Sequence, residues 1–264
     1  MSAWDLLVPK EAEIARRVLA EESSHRRHLV IYLSGAHAYG FPSPDSDLDL
    51  KAIHISETAA MLGLTPPAPT FDRAEIIEGV EIDYTSNEVG HVLTGILAGN
   101  GNFIERVLGA TTMEESPWLA SLRPLVQRSL SKRVARHYLG FASSLRKELE
   151  ERPLAKKILY VLRATLTGAH VLSTGELVTD VTKLLDRYGF SDAHALVETK
   201  RLGERTALAQ AEIDRWRADI ERAFTLIAEA QRTSSLPEEP PNVGEIDAWL
   251  IALRRELLEE ALLH

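Results

Sequence analysis

Residues 33–55 read LSGAHAYGFPSPDSDLDLKAIHI, and this stretch decides the predicted fold of the N-terminal half. It begins within residues 28–34, a short run rich in β-branched and aromatic side chains that predicts a buried strand. Glycines and prolines then mark a turn-rich segment over residues 35–46. Residues 47–55 alternate polar and apolar side chains with a period of two, which predicts a second strand.

Two aspartates one residue apart, Asp47 and Asp49, open the second predicted strand. Residues i and i+2 of a strand point to the same side, so these carboxylates lie together while Leu48 and Leu50 face the core. Two like charges this close are costly without a cation, and ligands that are all oxygen favour Mg²⁺ or Mn²⁺. Phosphoryl transfer uses such a carboxylate set, with two metal ions about 4 Å apart.

A third carboxylate is expected from residues 75–85, which predict a strand, or a hairpin that turns at Glu78-Gly79. Asp83 and Glu81 share one face of this segment by the same period of two. We select Asp83 because its side chain is shorter and because it lies where the strand meets the next predicted helix. Glu81 and Glu78 remain the alternatives if the strand register differs.

The rest of the chain predicts mostly helices. In the N-terminal part they cover residues 11–22, 87–97 and 102–108. Beyond residue 112 they cover residues 118–129, 132–151, 154–173, 178–188, 193–203, 206–233 and 244–263. The predicted fold class is therefore α+β, with a small mixed-sheet domain over residues 1–112 and an all-helical domain over residues 113–264.

Length, cysteine content, apolar runs and net charge limit the classes of protein to which this chain can belong. A length of 264 residues suits two modest domains, and the absence of cysteine excludes disulfides and thiolate metal sites. The N-terminal residues lack the apolar segment of a signal peptide, and no apolar run approaches the roughly 20 residues that span a bilayer. We therefore expect a cytoplasmic protein without a membrane partner. The net charge of −9 argues against broad binding to nucleic acid.

One basic segment stands out in this acidic chain. Residues 128–163 carry ten Lys and Arg against three Glu. Within it, Lys156, Tyr160 and Arg163 are spaced to share one helix face. This face is either an ordinary amphipathic surface with solvated cations or a binding surface for a polyphosphate.

The stretch quoted above resembles the signature of the DNA polymerase β nucleotidyltransferase superfamily, in which Asp-x-Asp follows a strand and a glycine turn. The string SGAHAYGFPSPDSDLDL is similar to a bacterial branch of predicted nucleotidyltransferases, some of them linked to RNA repair. Residues 81–109 and 156–175 also resemble that branch, so the similarity extends over residues 30–175. The first stretch is specific, and the helical one is suggestive.

The resemblance implies an enzyme that moves an NMP from an NTP to an acceptor and releases pyrophosphate. It implies a polymerase β-like N-terminal domain in which Asp47, Asp49 and Asp83 bind Mg²⁺ or Mn²⁺ and are catalytic. The acceptor is an RNA end, a small molecule or a protein. The alternative is a nucleotide-binding regulatory or toxin–antitoxin component with weak or no transfer activity.

One residue departs from the superfamily pattern. Ala36 stands where a serine usually binds a terminal phosphate oxygen. Backbone N–H groups around Gly35 can still bind phosphate, and Ser34 or Ser46 is expected to supply the hydroxyl. The helical domains of related nucleotidyltransferases contact triphosphate, which implies the same role for Lys156 and Arg163. The predicted nucleotide-binding residues are therefore Ser34, Gly35, Ser46, Lys156 and Arg163.

Overall fold

The computed structural model describes residues 2–203 and 210–263. The chain divides into two compact units that are interleaved in sequence. The sheet unit comprises residues 1–34, 48–129 and 240–264, and the helical unit comprises residues 35–47 and 130–239. Among the described residues, no helix is long and apolar enough to cross a membrane.

The sheet unit contains a five-stranded mixed sheet with the order β3-β4-β2-β1-β5. Its strands are β1 (Arg27–Leu33), β2 (Leu48–Ile55), β3 (Thr70–Ile77), β4 (Val80–Glu88) and β5 (Thr112–Glu115). Strands β2 and β4 are parallel, while the other neighbours are antiparallel. With the helices that follow, this sheet confirms the predicted α+β class.

Strands β3 and β4 form the hairpin that the sequence offered as one of two interpretations. Residues Ile77 and Val80 pair across the turn. Glu78 and Gly79 between them have φ values of 54° and 83°. Two successive positive φ values are typical of a type I′ turn, whose twist matches the twist of the flanking strands.

The described residues also form twelve α-helices. In chain order these are α1 (Pro9–His25), α2 (Gly35–Tyr39), α3 (Thr58–Met61), α4 (Val89–Leu97), α5 (Gly101–Leu108), α6 (Pro117–Arg128), α7 (Val134–Glu151), α8 (Ala155–Thr174), α9 (Thr182–Leu185), α10 (His194–Arg201), α11 (Gln210–Thr233) and α12 (Val243–Leu262). The helix predicted over residues 178–188 is reduced to α9. Part of the helix predicted over residues 206–233 forms α11, and residues 206–209 lie outside the described residues.

The core of the sheet unit lies between the sheet and α1. Its buried side chains include Ile14 and Val18 of α1 and Leu48, Leu50 and Tyr84 of the sheet. Buried and partly exposed residues alternate over residues 48–51 of β2, as the period of two predicts, whereas residues 52–55 are all buried. The partly exposed positions of β2 are therefore Asp49 and Lys51.

The helical unit is built around α8, which packs against α7, α10 and α11. Residues 161–172 of α8 are all buried, as expected for a helix that other helices surround. The short segment 35–47 belongs to the same core, because Tyr39 and Phe41 pack with the side chains of α8. The chain therefore leaves the sheet unit after Ser34 and returns to it at Leu48.

This interleaving differs from the predicted division into residues 1–112 and 113–264. Strand β5 pairs with β1, so the chain beyond residue 112 still adds to the sheet. Helix α12 returns to the sheet unit near the C-terminus, where Trp249 Nε1 donates to Ser121 Oγ at 2.9 Å. Local sequence patterns identify elements, whereas these long-range contacts decide which unit each element joins.

Candidate active site

The parallel pairing of β2 and β4 places Asp49 opposite Asp83. Their neighbours Leu48, Leu50, Ile82 and Tyr84 are fully buried, so both carboxylates lie on the partly exposed face of the sheet. Facing residues of neighbouring strands are held at a fixed separation by the backbone ladder. Two of the three aspartates selected from the sequence are thus brought together in the sheet unit.

Lys51 lies between these two carboxylates. Its Nζ is 2.8 Å from Asp83 Oδ2 and 3.7 Å from Asp49 Oδ1, and it also donates to the backbone carbonyl of Asp83 at 3.3 Å. The exposed fractions of the side chains are 17% for Lys51, 25% for Asp49 and 50% for Asp83. Lys51 was not predicted from the sequence, although the same period of two that joins Asp47 and Asp49 places Lys51 on their face.

The two alternative carboxylates lie elsewhere. Glu78 occupies the β3–β4 turn, where its Oε1 accepts from Arg17 Nη2 at 3.2 Å. Glu81 is exposed and faces Ile76 in the hairpin, before the part of β4 that pairs with β2. Asp83 is therefore the carboxylate that lies beside Asp49, and its role as a metal ligand remains a prediction.

Asp47 is exposed, directly precedes β2 and is grouped with the helical unit. Within residues 2–203 and 210–263, no group of three or more His, Asp or Glu side chains is arranged to hold a metal ion. The assignment of Asp47 as a ligand beside Asp49 and Asp83 remains a prediction.

A buried lysine anchors the loop before Asp47. Lys200 Nζ donates to Ser43 Oγ at 2.6 Å and to Ser46 Oγ at 2.8 Å. Ser46 Oγ also accepts from the backbone N–H of Ser43 at 3.0 Å, and Ser43 Oγ donates to Asp45 Oδ1 at 2.8 Å. The predicted phosphate ligand Ser46 is therefore hydrogen-bonded within the helical unit. No sequence signal points to Lys200, because it lies more than 150 residues from the loop.

The predicted glycine turn follows β1. Gly35 has a φ of 63°, a left-handed conformation that favours glycine, and it begins α2 where the sequence predicted only turns. The backbone N–H of Ser34 donates to the carbonyl of Asp49 at 2.9 Å, so this donor belongs to the sheet ladder. Phosphate binding by Ser34 and Gly35 remains a prediction.

The predicted basic face of α8 reaches the segment that carries the glycine turn. The Arg163 guanidinium carbon lies 3.9 Å from the centroid of the Tyr39 ring. Tyr160 makes edge contacts with Tyr39 and Phe41, at centroid distances of 5.8 and 5.4 Å. Arg163 has no exposed surface, whereas Lys156 is partly exposed. Contact of either residue with a triphosphate remains a prediction, and for Arg163 it requires a rearrangement.

Several cations of the basic segment 128–163 are paired with glutamates of their own unit. These pairs are Arg128–Glu245, Lys132–Glu238, Arg133–Glu239, Arg146–Glu221 and Lys157–Glu148. Glutamates beside the cations reduce the positive potential of this surface. The pairing favours the interpretation of most of the segment as an ordinary solvated surface.

At the opposite end of β2, His54 faces His28 of β1 on one side and Glu88 of β4 on the other. His54 Nδ1 lies 2.8 Å from Ser86 Oγ, and burial, with Arg26 and Arg254 nearby, lowers the pKa of His54 to about 4. His28 Nε2 lies 2.7 Å from the Tyr84 hydroxyl, and burial also lowers the pKa of His28 to about 4. A cavity of about 950 Å³ opens beside His54.

A family model, an archaeal protein and a solved structure are similar to this chain. The family model RlaP, described as the RNA repair pathway DNA polymerase beta family, matches residues 12–252. An uncharacterized protein of Methanocaldococcus jannaschii is 27% identical over 226 residues, which cover 83% of this chain and 91% of that protein. The crystal structure of a nucleotidyltransferase-like protein from Exiguobacterium sibiricum is 14% identical, with a TM-score of 0.33, covering 91% of this chain and 78% of that one.

Proposed function

Because the chain belongs to the RNA repair pathway DNA polymerase β family, we propose that it moves a nucleotidyl group from an NTP to an acceptor and releases pyrophosphate. The observation that carries this proposal is the pairing of Asp49 with Asp83 on the open face of the sheet. Family membership gives the reaction class, and the paired carboxylates give a place on this chain where the reaction can occur.

The carboxylates fit a divalent cation, Mg²⁺ or Mn²⁺. Both are oxygen ligands on strands, which position ligands more accurately than loops do. A positive charge already lies between them, because Lys51 Nζ is 2.8 Å from one carboxylate and 3.7 Å from the other. Asp49 and Asp83 would hold the ion, with Asp47 as the third ligand. When bound, such an ion offsets the charge of the triphosphate and favours the ionised form of the attacking hydroxyl.

We propose that the backbone near Gly35 and the side chain of Lys156 contact phosphate oxygens of the nucleotide. Arg163 acts through Tyr39, since its guanidinium packs on that ring rather than in solvent. Ser46 keeps the loop before Asp47 in place through its bond to Lys200.

The acceptor that we propose is an RNA end. The family description supports it, because it places related chains in RNA repair. The net charge of −9 favours a short end over a long duplex, since duplex binding depends on a large basic surface.

A second candidate is a nucleotide-binding regulatory or toxin–antitoxin component with weak transfer activity. Ala36 is the observation that favours it, because the hydroxyl that usually contacts a terminal phosphate is missing at that position.

The test is pyrophosphate release by the full chain with Mg²⁺, each NTP in turn, and short RNAs as acceptors. We expect release with wild type, and a loss of at least about 10³-fold in turnover, roughly 4 kcal/mol, for Asp49→Asn and for Asp83→Asn. Glu81→Gln is the matched control, since Glu81 lies on the same strand face but does not pair with β2.

Near wild-type turnover in Asp49→Asn would remove the active-site assignment. Nucleotide binding without pyrophosphate release, under every combination of NTP and acceptor, would favour the regulatory candidate. Release that requires RNA, followed by a labelled nucleotide on that RNA, would establish the acceptor.

A further inference from the structure

The ammonium of Lys51 lies between the carboxylates of Asp49 and Asp83. It contacts Asp83 Oδ2 at 2.8 Å, approaches Asp49 Oδ1 at 3.7 Å and donates to the Asp83 carbonyl at 3.3 Å. Lys51 is carried on the same strand as Asp49, two residues further on, so the strand itself directs both side chains to one face. The strand geometry that pairs Asp49 with Asp83 therefore also places the Lys51 ammonium beside them.

Two features make this lysine able to leave. Asp83 is half exposed, so water can replace the ammonium as its partner. A lysine side chain is also a compact charge on a flexible stem, with rotatable bonds that allow it to swing away without moving the strand. Separating such a pair costs less than separating a fully buried pair, whose separation leaves an uncompensated charge.

We infer that Lys51 is a built-in counter-ion that holds the Asp49–Asp83 pair together in the metal-free protein and gives way to the divalent cation. The identity of that cation rests on the proposed function. The displaced ammonium stays on the face of the sheet where nucleotide phosphates are expected. Lys51 is a positioning residue in this account: it sets the geometry and the metal affinity of the carboxylates.

The first experiment measures Mn²⁺ binding to the nucleotide-free full chain by electron paramagnetic resonance. When a side chain of the protein occupies a binding site, the apparent dissociation constant of a ligand is the intrinsic one divided by the fraction of protein whose site is free. Lys51→Met is therefore expected to bind Mn²⁺ at least about 10-fold more tightly than wild type. Lys51→Arg keeps the competing charge and is expected to stay within about 2-fold of wild type.

Two controls accompany this measurement. Lys10→Met removes an exposed lysine of the same unit that bonds to the Glu78 carbonyl, away from the carboxylate pair. It is expected to leave Mn²⁺ affinity unchanged and so separates local displacement from a change in net charge. Asp83→Asn is expected to weaken Mn²⁺ binding in both the wild-type and the Lys51→Met backgrounds, which identifies the site that is measured.

The second experiment follows Lys51 itself by acylation of lysine amines and mass spectrometry. Displacement predicts that Lys51 is protected in metal-free wild type and becomes several-fold more reactive when Mg²⁺ is added, about the gain expected when an amine loses a charged hydrogen bond. Asp83→Asn is expected to raise the reactivity of Lys51 without metal. Lys10 serves as the internal reference in the same digest.

The outcomes separate this inference from the proposed function. The counter-ion role is overturned if wild type and Lys51→Met bind Mn²⁺ with equal affinity, or if Mg²⁺ does not change the acylation of Lys51. Either result would hold even if pyrophosphate release depends on Asp49. If Lys51→Met binds Mn²⁺ more tightly but wild type releases no pyrophosphate, the counter-ion role is supported and the transferase proposal is rejected. No Mn²⁺ binding by either protein removes both.

Discussion

The two units use lysine in opposite ways. In the sheet unit, Lys51 is partly exposed and contacts two carboxylates. In the helical unit, Lys200 has no exposed surface and donates to the hydroxyls of Ser43 and Ser46. An ammonium whose carboxylate partners are reached by solvent can be replaced by another cation. A buried ammonium that donates to hydroxyls is held in place, because losing those hydrogen bonds while it stays buried would leave its charge uncompensated.

The contrast distinguishes a lysine at the proposed ligand site, Lys51, from a structural lysine, Lys200. In the proposed function, the ligand binds at the partly exposed face around Asp49 and Asp83. The Ser43–Lys200 contact fixes the loop that leads into Asp47, so it acts on that face only through the chain. The contrast predicts that substitution of the buried Lys200 changes stability first, and that substitutions of Lys51, Asp49 and Asp83 change ligand binding first.

The largest stability effect is expected for Lys200→Ala. It removes two hydrogen bonds from a charged donor and leaves a cavity where the buried stem lay. We expect a loss of about 2–4 kcal/mol in the free energy of unfolding, measured by urea with tryptophan fluorescence. Trp216 of α11 lies in the same unit and reports on it.

Lys183→Ala is the matched control for Lys200→Ala. The side chain of Lys183 is 68% exposed and pairs with Asp180 in the same unit. Its removal is expected to change the free energy of unfolding by less than about 0.5 kcal/mol. Equal effects of the two substitutions would break the contrast between an anchored and an exchangeable lysine.

A smaller effect, on activity, is expected for Arg163→Ala. The guanidinium packs on Tyr39, so its loss lets the segment with Gly35 shift relative to α8. We expect the kcat/KM for the NTP to fall at least about 10-fold, or about 1.4 kcal/mol of transition-state stabilisation. Arg146→Ala, which removes an exposed cation paired with Glu221, is expected to change it little. An unchanged kcat/KM in Arg163→Ala would end its assignment to the site.

The smallest effect concerns pH and the far end of β2. The pKa of His54 falls from 6.5 to about 4 in the folded chain, chiefly through burial, so the fold favours the neutral ring. The unfolded chain therefore binds the extra proton first. The stability from this group is complete above pH 6.5 and is lost as the pH falls towards 4.

His54→Asn keeps a partner for Ser86 and removes this titration. We expect the slope of unfolding free energy against pH between these values to decrease by at most about 1.4 kcal/mol per pH unit. His25→Asn, at the exposed end of α1, is the control. An unchanged slope in His54→Asn would contradict this assignment and leave His28, whose pKa is also lowered to about 4, as the candidate histidine.

Much of the sheet could be predicted because its signals are local. The period of two in residues 47–55 identified β2 and its polar face, and the Glu78-Gly79 pair identified a possible hairpin. Strand β5 was missed because it has only four residues, too few to show a period. Helix α2 was missed because Gly35, Gly40 and the prolines that follow indicate a turn, and a helix of five residues depends on tertiary packing such as its contact with the core around α8.

The sequence by itself determined the family resemblance, the α+β class and the aspartates that the proposed chemistry needs. It did so because strand period and short motifs are carried by neighbouring residues. Only the tertiary structure decided that Asp83 stands opposite Asp49, that Lys51 lies between them, and that Lys200 holds the loop before Asp47. These contacts join residues up to 157 positions apart, and their geometry depends on strand register and helix packing, which no local pattern encodes.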